Sequence, residues 1–169
     1  MKLVTFETGP NQKRIGALAL DSTRIVDLNH AYALYLLEVE GDPASQRIAD
    51  ARVPADMRGL FEGGDASLDA ARAALAHAVD RGPRVTAPTG ETIHYLLGDV
   101  KLEAPILPKK FFHTAGNFRE HHEEAQKAGF SHPVMPWIVF FQNVDAIIGP
   151  DEPVIYPEHL TEELDYELE

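Results

Sequence analysis

The 169-residue sequence contains no cysteine, which removes disulfides, thiolate nucleophiles, iron–sulfur clusters and Cys-zinc sites together. Any metal must therefore be held by oxygen or nitrogen. Positive charge is also scarce: 15 Lys and Arg face 27 Asp and Glu, a formal net charge of -12. Nucleic acid and anionic membrane surfaces both need a positive face, so neither is expected as a partner. No apolar run approaches the ~18 residues of a membrane span. The N-terminus, Met1 to Pro10, has an acid and a turn where a secretory signal needs an unbroken apolar stretch. A cytoplasmic protein is expected. A Gly-rich phosphate loop and a nucleophile elbow are missing too, which leaves nucleotide and acyl-enzyme chemistry without support.

What is present can bury a core: 44% of the residues are hydrophobic, and the length allows one or two domains. Leu3 to Phe6, Ile15 to Leu20 and Arg24 to Leu28 are short β-rich runs divided by Gly9-Pro10-Asn11 and Asp21-Ser22-Thr23, the pattern of an antiparallel meander. Helical spacing follows over Asn29 to Val39. It recurs over Ser67 to Asp80, where Ser67 is placed to cap and Leu68, Ala71, Leu75, Ala78 and Val79 form a stripe. Residues 1–85 are thus expected to form a small α+β domain. Gly82 to Glu91, with two prolines and two glycines, is the expected joint to a second region over 100–169.

Strand signals dominate the second region, at Val100 to Leu102, Lys110 to His113, Trp137 to Phe141 and Val154 to Tyr156. Between the second and third lies a capped helix over about Phe118 to Ala128, with Asn117 as N-cap, Glu120 completing a capping box and Gly129 as the left-handed stop. His121 and Glu124, three residues apart, share one helix face. Such a pair suits a base and its orienter, because a carboxylate that holds one imidazole nitrogen leaves the other to take a proton from water. The same run, Glu120-His121-His122-Glu123-Glu124, also fits a solvated polar face. His113, His132 and His159 lack matched spacing and are expected to be structural or surface residues.

The sequence ends on Glu163-Leu164-Asp165-Tyr166-Glu167-Leu168-Glu169, alternating with period two. As a strand it would set its acids on one face roughly 7 Å apart, close enough to converge on a hard cation. On pattern alone, an amphipathic strand whose acidic face is simply wet is the simpler reading. From Asp151 to Glu169 there is no Lys or Arg, and the local field favours cations.

In order, Ala104-Pro105-Ile106, Gly116-Asn117-Phe118-Arg119-Glu120-His121-His122-Glu123-Glu124, Val139-Phe140-Phe141-Gln142, Ala146 to Pro157 and Leu164 to Glu169 resemble the fumarylacetoacetate hydrolase family in its shorter bacterial form. The helical segment is similar to the family's G-x-N-[YF]-x-x-H-x-x-E pattern, and the final one to its E-x-E strand. The resemblance covers about Leu102 to Glu169. It implies that 100–169 is the first part of a mixed β-roll, and that the enzyme uses Mg²⁺ or Mn²⁺ to act on diketo or 2-oxo acids, often in aromatic-compound degradation.

It further implies that Glu167 and Glu169 hold the metal, that His121 and Glu124 activate water, that Phe118 and Gln142 meet substrate, and that the enzyme is a homodimer. Many members carry lysine where Gln142 stands, so a neutral amide replaces a cationic contact. The family also continues past E-x-E into strands with a third carboxylate ligand, a catalytic lysine and most of the roll. The sequence is therefore expected to be an N-terminal portion, poorly active alone. Decarboxylation, isomerisation or hydration of a 2-oxo acid on the same site, and a non-catalytic scaffold, are the competing readings.

Overall fold

A computed structural model describes residues 1–19, 22–115, 118–127, 129, 138–164 and 166, without the side chains of 121, 122, 124 and 125. It divides into two compact units, Met1–Ile106 and Leu107–Glu169. The architecture is α+β, as the sequence implies.

In the first unit the expected meander is present as β1 (Leu3–Glu7), β2 (Lys13–Leu18) and β3 (Arg24–Asp27). The β1–β2 turn closes on Asn11, whose φ of 60° suits an Asn, and whose N–H donates to Glu7 Oε1 at 3.1 Å. Phe6, Ile15 and Ile25 are fully buried. At Gly16, opposite Asp27 in the ladder, a Cβ would stand 2.3 Å from Ile25 Cγ2 and 2.9 Å from the Val26 carbonyl oxygen, so only glycine fits.

β3 runs straight into α1 (Leu28–Tyr35), because Asp27 caps the helix: its Oδ1 accepts from the His30 N–H at 3.0 Å. A π-helical turn, Leu36–Glu40, extends α1 and stops at Gly41, φ 70°. Two short helices follow that periodicity does not announce, α2 (Ser45–Arg52) and α3 (Met57–Glu62), the latter capped by Asp56 Oδ1 accepting from the Gly59 N–H at 2.8 Å. Then comes α4 (Gly64–Arg81).

The start and face of α4 differ from expectation. Ser67 lies inside the helix and is buried, and the inward stripe is Ser67, Ala71, Ala74 and Ala78, whose small side chains let α4 approach α1 closely. Leu68 and Leu75 are only partly buried beside the core, and Val79 is exposed.

The expected joint is also placed differently. Gly82 to Glu91 belongs to the first unit: Thr86 bridges Thr92, and Ala87 and Ile93 are buried in the core. Beyond it, β4 (His94–Leu96) pairs with β3, and β5 (Lys101–Glu103) pairs with β1. The sheet order is β4-β3-β2-β1-β5, antiparallel throughout. The division falls between Ile106 and Leu107, where the chain leaves this sheet.

The second unit holds β6 (Phe111–Ala115), α5 (Arg119–Lys127) and β7 (Ile138–Gln142). β6 and β7 form an antiparallel ribbon. Among the described residues of this unit only Gly149 is buried, so they contain no apolar core of their own. Val154 to Tyr156, expected as a strand, has no ladder partner among the described residues.

Candidate functional site

The candidate site is built from the second unit. Helical periodicity places His121 and Glu124 on the backbone of α5, where a separation of three puts both on one face. Their side chains lie outside the described residues. Gly129, with φ +83° and its N–H donating to the Gln126 carbonyl at 3.1 Å, ends the helix as expected of a left-handed stop. The expected N-cap, Asn117, lies outside the described residues. Phe118 immediately precedes the helix and is exposed.

Gln142 closes β7 opposite Phe111, and it too is exposed. Register and pleat set it on one face of the ribbon with Phe111, His113, Ala115, Phe140 and Ile138. α5 follows from the opposite, Ala115 end of β6. Four residues of strand, about 13 Å, separate the two ends, so the ribbon alone does not bring Gln142 to the start of the helix.

His113, expected from the sequence to be structural or on the surface, is half-buried on the same face of the ribbon. It pairs with Phe140, its ring packs edge-on to Phe111 at 4.4 Å and tilts against Phe140 at 5.5 Å, and it is a diagonal neighbour of Gln142.

The carboxyl-terminal acids are approached through an ordered loop. Gly149 donates its N–H to Glu152 Oε2 at 2.6 Å, and Asp151 takes a φ of 62°, turning the chain at Gly149 to Glu152. The Tyr156 hydroxyl donates to the Thr161 carbonyl at 2.7 Å, and the Thr161 hydroxyl donates to the Glu163 carbonyl at 2.7 Å. Glu162 and Glu163 are exposed. Asp165, Glu167 and Glu169, which include both expected metal ligands, lie outside the described residues. Among the described residues no three His, Asp or Glu side chains come together as a metal cluster. His159 is exposed, and His132 lies outside the described residues. No helix among the described residues is long and apolar enough to cross a membrane.

The family model for the fumarylacetoacetate hydrolase C-terminal domain matches residues 110–169, which contain β6, α5, β7 and the acidic segment. A fumarylacetoacetate hydrolase domain-containing protein 2 homolog from Dictyostelium discoideum is 28% identical over 173 residues, covering all of this chain and 44% of that protein. A mitochondrial oxaloacetate tautomerase, fahd2, from Xenopus laevis is 28% identical over 171 residues, covering all of this chain and 42% of its own length. The chain thus spans less than half the length of the curated relatives it matches.

Proposed function

Because the chain belongs to the fumarylacetoacetate hydrolase family, we propose that it carries the water-activating helix and two metal carboxylates of an enzyme that hydrolyses a C–C bond in a diketo or 2-oxo acid. The observation that carries this is order: the matched segment contains β6, then α5 with His121 and Glu124 at i and i+3, then Gln142, then Glu167 and Glu169. The donor set suits Mg²⁺ or Mn²⁺, because Glu167 and Glu169 offer hard oxygen ligands in a segment free of Lys and Arg, and the chain has no thiolate. An ion held there supplies positive charge against the negative charge that develops on substrate oxygens.

The rest falls to side chains of this chain. His121, held at one ring nitrogen by Glu124, takes a proton from water through the other. The water oxygen bonds to the carbonyl carbon beside the scissile bond. The electron pair of the broken C–C bond goes to the oxo-acid fragment, which takes up a proton at that carbon, and the products are a carboxylic acid and a 2-oxo acid. The Gln142 amide offers a neutral hydrogen bond to the substrate, where a lysine would have set a charge, and this favours substrates with one carboxylate fewer to neutralise. Phe118, at the start of the helix, offers an apolar contact that keeps bulk water from the reacting carbon. A homodimer belongs to the same proposal.

One observation favours a second reading: a relative is named for oxaloacetate tautomerisation. There the same base would move a proton between carbon and enol oxygen, with no attack by water. The gene product containing this chain, assayed with Mg²⁺ on an acylpyruvate and on oxaloacetate, separates the two. Pyruvate release from the acylpyruvate, lost in His121→Ala, supports hydrolysis. Enol-to-keto conversion of oxaloacetate without cleavage supports the tautomerase, and a His121→Ala variant as active as the parent on both substrates overturns the site assignment.

A further inference from the structure

We propose that the first unit carries a binding slot for a medium-chain alkyl carboxylate, separate from the candidate site on the second unit. A cavity of about 480 Å³ opens between one wall formed by Met1, Lys2, Leu18, Ala19 and Ser22 and another formed by α4. Its volume lies within the range of small-molecule sites. On α4 the lining residues are Arg72, Leu75, Ala76 and Val79, spaced i, i+3, i+4 and i+7, which is one continuous helix stripe.

This stripe accounts for the mismatch on α4. Leu75 and Val79 are apolar at helical spacing, yet the inward face belongs to Ala71, Ala74 and Ala78. The larger side chains instead line the slot.

The choice of occupant follows from shape and charge. From Arg72 to Val79 the stripe runs about 10 Å, the length of a medium-chain acyl tail, and the lining is mostly aliphatic, with Ser22 beside Leu18 and Ala19. Among the described residues no lining side chain is acidic, in a protein whose net charge is -12. Two cations stand at the walls. Arg72 meets Asp69 only in an exposed i,i+3 pair at 2.5 Å, which is worth little in water and leaves most of the guanidinium fork open. Among the described residues the Lys2 ammonium has no hydrogen-bond or ion-pair partner. An aliphatic slot with two under-used cations fits a tail bearing one carboxylate, and it disfavours both a polycarboxylate and a cationic ligand.

Isothermal titration of the whole chain with hexanoate, octanoate, decanoate, 1-decanol and acetate tests this. Saturable one-to-one binding of decanoate is expected, weakening by up to about 4-fold for each methylene removed, with acetate silent. Ala76→Trp, which fills the slot, should abolish binding. Should that variant fail to fold by circular dichroism, the surface pair Lys2→Gln and Arg72→Gln decides: decanoate should weaken about 10-fold while 1-decanol is unchanged. No saturable binding, equal binding of decanoate and 1-decanol, or decanoate binding untouched by a folded Ala76→Trp or by the Lys2 and Arg72 changes would each overturn the proposal.

Discussion

Replacing Asp27 by Asn should destabilise the first unit by about 2–3 kcal/mol. The Asp27 side chain is completely buried, its Oδ2 accepts from Arg14 Nε and its Oδ1 accepts from Arg14 Nη2 at 3.1 Å. Removing one partner of a buried ion pair typically costs about 3–5 kcal/mol, because the other charge is left without compensation. Two features reduce that figure here. The Arg14 side chain is 19% exposed, and Nη2 keeps a hydrogen bond to Asn29 Oδ1 at 3.1 Å. The Asn carbonyl oxygen can still accept from the His30 N–H, so the cap survives; Asp27→Ala loses it as well and should cost a further ~0.5–2 kcal/mol.

Arg14→Met added to Asp27→Asn should recover part of the loss, since the orphaned cation is then gone. Urea unfolding followed by far-ultraviolet circular dichroism is the suitable assay, because α1, α2, α3 and α4 all lie in the first unit and dominate the helical signal. An Asp27→Asn loss below about 1 kcal/mol, or no recovery in the double variant, would refute the reasoning that Asp27 compensates a buried Arg14 charge.

Gly16→Ala should cost about 1–3 kcal/mol by overpacking against Ile25 and the Val26 carbonyl, measured in the same titration. Glu38 is held below its ordinary value of 4.5: burial raises it, but hydrogen bonds from His77 and Arg81 outweigh that. A depressed carboxylate stabilises the fold above its unfolded value. The gap between the parent and Glu38→Gln, under about 1 kcal/mol for so exposed a cluster, should therefore be steady near neutrality and close as pH falls below 4.5; a gap that widens in acid contradicts this. In the gene product containing this chain, His121→Ala should lower kcat by about 10²–10⁴-fold. Chelation by EDTA should abolish turnover, with Mg²⁺ restoring it, as read by pyruvate release. The 169-residue chain alone should bind Mg²⁺ weakly in calorimetry, and tight stoichiometric binding would count against the two-carboxylate reading.

The meander was legible because Gly9-Pro10-Asn11 and Asp21-Ser22-Thr23 punctuate three β-rich runs, and turn chemistry is a local property. α2 and α3 were not. They are eight and six residues long, and α2 shows mostly polar residues, so their helicity depends on packing and on the Asp56 cap rather than on a readable stripe. The face of α4 was misread because pattern rewards large apolar residues, whereas close approach to α1 rewards Ala71, Ala74 and Ala78. Proline and glycine suggested a joint at Gly82 to Glu91, but Ala87 and Ile93 carry that segment into the core, and two buried residues outweigh a loop-like composition. For the site, the sequence announces the helix that carries His121 and Glu124, while the relation of α5 to Gln142 is a matter of tertiary geometry that no spacing encodes.

The pairing of β5 with β1 has a consequence for synthesis. The first strand made acquires its second neighbour only when Glu103 has left the ribosome, since the opposite edge of β1 pairs at Thr5 to Glu7 with Lys101 to Glu103. At about 5–20 residues per second that edge stays open for on the order of 5–20 s. The closing strand is short and carries a charge clamp, with Glu103 accepting from Lys13 at 2.6 Å and from Lys101 at 2.8 Å. Before that clamp forms, the nascent chain exposes a bare strand edge with Phe6 beside it, and this is the interval in which a chaperone, or a neighbouring nascent chain, has the best access to β1.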